Sequence, residues 1–501
     1  MPTRTGRDVA HLLADFGHDL PTPTSPPVRG REGRLFHHAP ARGAFRRGRG
    51  WSPSGAPVAA WRMTSDQAGV WWPFIATPGL PPTGAQMGID QLSGGSFYAD
   101  PLGWVLDEQI PVTNPNVMVW GKPGRGKSGT TKAFLLRMMD FGYRALILGD
   151  PKDEYEALCH ALGVEPFAIG RGLATRINPL DLGPLADGWE RLSRAEAQRR
   201  SALVFSRWLT LVRGLVGSQK VGEQRVPFGP SDEVVVKTVL AHLSGYCDAA
   251  TRLTEPTIPQ LWRALDEPTD ELVAACRYRD RRHFLDETRL LRDALGQLVS
   301  GALAGLFDDH TSIHVDWRAP IQSLSLSRLE PFGDEAVGIA LTCLNSWGRA
   351  MREVAEVGDL RIVVRDEAWK QLRLGPDAVK SFDADLRFSR RDGDIQWAVM
   401  HKPSDLLSAG DQGSQATTIA KDLLHLADIK ILHGQDRAVA TELEHLLGLG
   451  PIAQDVITTW AMQGKGRALW QVGDQLYKVQ TYLHPLEERL TFTNDAIATA
   501  G

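Results

Sequence analysis

The sequence has no apolar run approaching about 18 consecutive residues, so no stretch of it is built to cross a membrane as a single helix. Its amino terminus is rich in Arg and Pro and lacks the apolar core of a secretory signal. Cysteine is scarce. Cys159, Cys247, Cys276 and Cys343 stand apart, with no Cys-x-x-Cys or other ligand spacing, which excludes a disulfide framework and indicates no zinc site. A reducing cytoplasm is the simplest home for such a chain, and membrane contact must then run through partners. A strong positive balance is missing too: the formal charge of −4 gives no global argument for nucleic-acid binding, although it leaves room for a locally basic channel. What is present is the composition of a soluble globular protein, 43% hydrophobic and 23% charged, in 501 residues, enough for about three units.

The chemistry centres on Asn116-Val117-Met118-Val119-Trp120, an apolar strand, followed by Gly121-Lys122-Pro123-Gly124-Arg125-Gly126-Lys127-Ser128-Gly129-Thr130. Gly121 through Ser128 fit G-x-x-x-x-G-K-[ST], in which each residue type has a mechanical reason. Gly121, Gly124 and Gly126 let the loop take positive φ and aim backbone N–H groups at a polyphosphate. The helix opening near Lys127 adds its positive dipole end, the Lys127 ammonium reaches the β and γ phosphates, and the Ser128 hydroxyl holds Mg²⁺. An ordinary glycine-rich turn would not need strand, loop and helix in this order.

Around this centre, residues 1–55 are basic and poor in apolar residues, with nine Arg against four acids through Gly50. They read as mostly disordered, with a short helix possible over residues 6–16. Residues 42–49 are either an arm for nucleic acid or anionic lipid, or a solvated linker. From residue 60 to 112 come short apolar pieces, among them Trp71-Trp72-Pro73-Phe74, ending in a strand-like Trp104-Val105-Leu106. After the loop, residues 131–141 read as a helix stopped by Gly142. Residues 145–148 read as a central parallel strand. Its end, Gly149-Asp150-Pro151-Lys152-Asp153-Glu154-Tyr155, offers Asp150 and Lys152 as site candidates, or else a turn with a helix cap. Residues 186–306 are expected to form an all-helical insertion. Its run Arg277-Tyr278-Arg279-Asp280-Arg281-Arg282-His283 suits either phosphate contact or a solvated face.

The sheet resumes at residues 321–326, with a helix over 335–354. The second chemical element is the apolar strand Leu360-Arg361-Ile362-Val363-Val364-Arg365, which delivers Asp366-Glu367-Ala368-Trp369. In this Walker B arrangement Asp366 holds Mg²⁺ in its second shell and Glu367 polarises the attacking water. Together the two motifs point to hydrolysis of ATP or GTP. Strands follow at 395–400 and 428–432. His401 ends the first, either sensing the γ-phosphate or filling a structural hydrogen bond. Residues 458–482 alternate in period two around Gly464 and Gly473, the pattern of a closing hairpin. Between them, Leu386-Arg387-Phe388-Ser389-Arg390-Arg391-Asp392-Gly393 offers Arg390 and Arg391 as guanidiniums for a neighbouring subunit's γ-phosphate, with Arg387 a turn further back; helix-end charge alone also explains them.

With both motifs placed, the chain resembles the conjugation and type IV secretion ATPases of the TraC-like kind, within the superfamily of ring pumps that includes FtsK and HerA. The resemblance rests on the phosphate loop, on Asp150-Pro151-Lys152-Asp153-Glu154-Tyr155, on Ile177-Asn178-Pro179-Leu180 and Leu306-Phe307-Asp308, and on Asp366-Glu367-Ala368-Trp369 and Pro403-Ser404-Asp405-Leu406. It implies an α/β, RecA-like P-loop NTPase with a mostly parallel sheet and the helical insertion. The expected division is a basic segment (1–55), first ATPase part (56–185), insertion (186–306), second ATPase part (307–490) and tail (491–501). It further implies ATP and Mg²⁺ as cofactors, a homo-hexamer, and secretion-channel or coupling proteins as partners at the inner face of the cell membrane, with DNA left open. Two features depart from the family: a large domain usually precedes the motor where only a short segment does here, and His401 stands where Gln is common. A soluble DNA translocase is the alternative, discriminated by stimulation with duplex DNA. A binding module that uses nucleotide only as an assembly switch would not need Lys127, Asp366 and Glu367 together, and a small-molecule kinase would have a short lid.

Overall fold

The computed structural model describes residues 79–491, apart from residues 151, 171, 172, 174, 223, 302, 313–315, 317, 355–357, 369–371, 373–375, 403, 405–418, 420 and 421. The basic amino-terminal segment, the Trp71-Trp72-Pro73-Phe74 run, Pro151, Trp369, Pro403, Asp405 and Leu406 lie outside the described residues. In chain order come β1 (Ala85–Asp90), β2 (Ser96–Ala99), α1 (Pro101–Leu106), β3 (Val117–Trp120), α2 (Lys127–Met139), β4 (Arg144–Asp150) and β5 (Phe167–Ala168). There follow α3 (Arg194–Ser218), β6 (Lys220–Val221), β7 (Gln224–Arg225), β8 (Ile321–Ser325), α4 (Asp334–Glu353), β9 (Arg361–Arg365), α5 (Pro376–Asp392), β10 (Asp394–Met400), β11 (Ile429–His433), β12 (Arg467–Val472) and β13 (Gln475–Thr481).

Eleven strands form one sheet in the order β2-β1-β13-β12-β11-β3-β10-β9-β4-β8-β5. From β11 to β5 every pairing is parallel, whereas β12, β13, β1 and β2 extend the sheet antiparallel. Parallel strands need both faces covered, and β3 shows how the sequence meets that need. Val117 and Val119 pack with Phe134, Leu135 and Met138 of α2, while Met118 and Trp120 pack with Phe382 and Leu386 of α5. The phosphate-loop helix is further anchored to β10, where the rings of Phe134 and Trp397 stack at 4.5 Å and Trp397 Nε1 donates to Thr131 Oγ1 at 3.0 Å.

The expected strand at Trp104-Val105-Leu106 is instead the end of α1. The side chain of Asp100 accepts from Gly103 N and Pro101 opens the first turn, so the cap and the proline, not the apolar triplet, decide the local structure. The closing hairpin is present, but it begins at Arg467; Val456–Trp460 ahead of it is a π-helical turn.

Between β5 and β8 the chain makes its helical excursion. Ser193 caps α3 in a capping box with Glu196, and helices Pro230–Ser244, Ile258–Asp266, Asp270–Ala275, Arg281–Glu287 and Arg289–Val299 follow. The excursion also holds the two-stranded ladder of β6 and β7. Two motifs of the resemblance meet at its base: Ile177 N donates to Leu306 O at 3.0 Å, and buried Asn178 donates through Nδ2 to Pro256 O at 2.9 Å and Glu255 Oε1 at 3.0 Å. The arginines at 277, 279, 281 and 282 are all exposed, with Asp280 among them capping the helix that starts at Arg281.

Candidate active site

β3 brings the loop of residues 121–126 to the carboxyl edge of the parallel sheet, where ligands of open α/β sheets bind. Gly124 and Gly126 adopt left-handed φ of 78° and 100°. Gly121 does not, and its role is close approach: a Cβ there would stand 2.6 Å from Cβ of His433. At Gly126 a Cβ would meet Gly466 N at 2.5 Å, because the loop is braced from behind by the turn preceding β12. Gly466 N donates to Arg125 O at 3.1 Å, Arg125 Nη1 donates to Met462 O at 2.7 Å, and Lys122 N donates to Gly434 O at 3.0 Å. Gly126→Ala is therefore expected to cost roughly 1–3 kcal/mol of stability from the left-handed strain alone and to weaken nucleotide binding at least about tenfold. Thermal melting and titration with a fluorescent nucleotide read the two effects, and an alanine variant matching the parent in both would remove the case for a backbone cradle.

Lys127, at the first turn of α2, is buried and its charge is disfavoured by that burial. Its Nζ donates to Gly121 O at 2.7 Å and lies 3.3 Å from His401 Nδ1. An ammonium has only donors, so Nδ1 accepts and Nε2 carries the imidazole proton. That Nε2 donates to Glu367 Oε1 at 3.0 Å, and Lys152 Nζ donates to the same oxygen at 2.7 Å. Lys127, His401, Glu367 and Lys152 thus form one chain of contacts joining the phosphate loop, the end of β10, the end of β9 and the end of β4. The sheet order β3-β10-β9-β4 makes this possible.

Glu367 is itself buried, with a left-handed φ of 54°, a strained conformation for a non-glycine residue that its partners hold in place. Burial opposes its charge, yet the hydrogen bonds from His401 and Lys152 prevail and hold the carboxyl well below the usual carboxylate range. Asp366 has the opposite environment. Burial, reinforced by Glu154, Asp150 and Glu367, pushes its carboxyl up to about 7. An acid raised by burial and by neighbouring carboxylates is suited to a hard divalent cation, whose charge would favour the ionised form. Among the described residues no group of three or more His, Cys, Asp or Glu could hold a metal. The Ser128 hydroxyl and Asp366 carboxylate fit the alternative that Mg²⁺ commonly uses, few protein ligands and the remainder from phosphates and water. The glycine cradle, buried lysine and this donor pair fit a magnesium nucleotide.

The two candidates after β4 divide. Asp150 holds the turn after β4: its carboxylate accepts from Glu154 N at 2.8 Å and Tyr155 N at 2.7 Å. Lys152 joins the site. Arg390 and Arg391 lie in the last turn of α5, immediately before β10, so the length of that strand separates them from His401, roughly 20 Å. They cannot serve their own phosphate loop; only another copy's loop is in question. Arg391 is paired with Asp392 at 2.8 Å and lies over the Phe388 ring at 4.5 Å, and Arg387 is paired with Asp383 at 2.8 Å. Arg390 is exposed and forms no ion pair among the described residues, so it is the better placed of the three.

Sequence reasoning missed Gln435 and Lys132. Buried Gln435 donates from Nε2 to His401 O at 3.1 Å and fixes that residue's backbone. Its signal was available, since it follows β11 on the same carboxyl edge. Lys132, buried in α2, lies over the Tyr155 ring at 5.4 Å and feels Glu154, Asp150 and Asp366; helical periodicity alone gave no sign of it.

Among the described residues no helix is long and apolar enough to cross a membrane. No protein-family model matches the chain and no curated protein sequence is significantly similar to it. Solved structures are. VirB4 of Thermoanaerobacter pseudethanolicus aligns with a TM-score of 0.62 at 19% identity, covering 82% of this chain and 100% of that one. The trigonal form of the bacterial conjugative coupling protein TrwBΔN70 in complex with sulphate aligns at 0.52 and 12% identity, covering 80% and 90%. The plasmid coupling protein TrwB in complex with ADP and Mg²⁺ aligns at 0.50 and 15%, again covering 80% and 90%. The fold is therefore that of the RecA-like P-loop proteins VirB4 and TrwB, the neighbourhood that the resemblance to type IV secretion and conjugation ATPases implied.

Proposed function

We propose that this chain is an ATP-hydrolysing motor of a conjugation or type IV secretion apparatus, powering transfer of DNA or protein substrates or pilus assembly. The carrying observation is the contact chain Lys127–His401–Glu367–Lys152, which couples a phosphate cradle to a buried, ionised carboxylate. Gly121 to Thr130 wrap the phosphates, with Lys127 neutralising their outer charge. Ser128 and Asp366 would hold Mg²⁺, which would supply positive charge beside the phosphate oxygens. Glu367, held ionised, polarises the attacking water, and His401, bridging Lys127 and Glu367, keeps the two in register. Arg390, assisted by Arg391, reaches the γ-phosphate of the next subunit in a homo-hexamer. The ring works on the cytoplasmic side at the inner face of the membrane, docked to channel or coupling proteins, with residues 186–306 as the excursion inserted between two halves of the motor.

Glu367→Gln tests the reading because it keeps shape and removes the base. Turnover of ATP by the purified chain is expected to fall roughly 10²-fold or more, on the scale of a lost general base, with nucleotide affinity retained. No magnesium-dependent turnover in the parent would refute hydrolysis, and equal losses of affinity and rate in the variant would point to disturbance of the left-handed backbone instead.

A further inference from the structure

The last residue of β9, immediately before Asp366 and Glu367, is an arginine that is only 1% exposed. Val364 packs in the cluster that includes α2, whereas Arg365, on the opposite face, lies over the ring of Phe382 of α5 at 4.7 Å. Its guanidinium donates to Gln396 Oε1 of β10 and, through Nη2, to Asp385 Oδ2 of α5 at 2.6 Å. The other oxygen of buried Asp385 is reached from α4, by Arg352 Nη2 at 2.6 Å and Arg349 Nε at 3.3 Å. Arg352 continues to the end of α5 and the start of β10, with Nε 3.6 Å from Asp392 Oδ2 and Nη1 3.5 Å from Asp394 Oδ2. The last turns of α5 are thus fastened at Asp385 and again at Asp392. Exposed Arg390 lies between the two fastenings.

Apolar side chains of similar volume hold elements together as well as a buried ion pair does, or better, so stability does not account for an arginine at this place. A planar guanidinium donating to two elements at once fixes distance and direction, and a fixed direction is what a group aimed at developing phosphate charge requires. We propose, on the reading that Arg390 acts across a subunit interface, that Arg365 and Asp385 are positioning residues. They lock α5 to the strand that leads into Asp366 and Glu367, and so hold Arg390 in the orientation that meets the γ-phosphate of the neighbouring subunit.

Arg365→Met in the full chain keeps an unbranched side chain over Phe382 and leaves Asp385 its contacts with Arg349 and Arg352. Affinity for ATP should stay within a few-fold of the parent's while turnover falls about 10- to 10²-fold, the scale of a displacement of about 1 Å in a catalytic group. Subunit mixing locates the defect. Added Glu367→Gln subunits, whose arginines are intact, should raise the turnover of Arg365→Met subunits several-fold, whereas added subunits carrying Arg390→Ala with Arg391→Ala should not. A gain with the latter would place the defect in the variant's own Asp366 and Glu367 and overturn the proposal, as would parent-like turnover. If circular dichroism shows Arg365→Met unfolded, Arg349→Met, at a side chain 36% exposed, loosens the same acid and should give the same mixing pattern with a smaller loss; parent-like turnover there overturns the proposal as well. The underlying reading fails separately. A double variant at Arg390 and Arg391 that turns over within a few-fold of the parent removes the trans arginine and its mount together, whereas an inactive double variant beside a fully active Arg365→Met removes only the mount.

Discussion

Lys127→Ala is expected to lower affinity for ATP by about 10²- to 10³-fold, the scale on which removal of one partner of a desolvated charge pair is felt. Two consequences compound the loss. The triphosphate forfeits its principal point charge, and His401 Nδ1 forfeits the donor that fixes the direction of its ring. The variant should fold, because among the described residues Nζ serves only the loop's own Gly121 carbonyl and His401. Titration with a slowly hydrolysed ATP analogue in the presence of Mg²⁺ measures the effect. Parent-like binding and turnover would mean that the glycine-rich loop is not the phosphate site.

Larger still is the effect expected of Arg390→Ala combined with Arg391→Ala. A guanidinium supplied from a neighbouring subunit contributes roughly 10³ to 10⁵ in rate, whereas two charges at a helix end contribute about 1 kcal/mol of stability. If the arginines act across an interface, the double variant binds nucleotide and is nearly inactive, and the parent's activity per subunit rises with concentration. Mixing the double variant with Glu367→Gln subunits should restore part of the rate, because some interfaces then combine an intact Glu367 with intact arginines. Of the single variants, Arg390→Ala should be the more damaging, since Arg391 is engaged by Asp392. An active monomer, or a double variant within a few-fold of the parent, would leave the arginines as helix-end charges.

The glycine-rich loop between β3 and α2 and the two acids that follow β9 were legible in the sequence because their signals are local. Glycine, lysine and hydroxyl at fixed offsets have few other uses, and a buried strand ending in two acids is a contiguous signal. The contact between His401 and Glu367 was not legible in this sense. It depends on β10 entering the sheet between β3 and β9, a consequence of strand order rather than of any offset. Two local misreadings have local causes. At Trp104-Val105-Leu106, β-like composition lost to a capped turn that begins four residues earlier with Asp100. Ahead of Arg467, alternation of apolar and polar residues continued through a stretch whose backbone turns as a π-helix, because period two and a single helical turn are hard to distinguish over five residues.

The apolar core of the helical excursion does not end at its base. Phe205, Trp208, Leu211 and Leu215 of α3 belong to the same packed cluster as Leu146 and Leu148 of β4, Leu324 of β8 and Val363 of β9. Interiors packed at this density are stiff, and prising α3 from the sheet would expose apolar side chains to water. The excursion is for this reason poorly suited to flapping as a hinged cover. Sharing its core with β9, whose end carries Asp366 and Glu367, it is packed to move together with the sheet as one body.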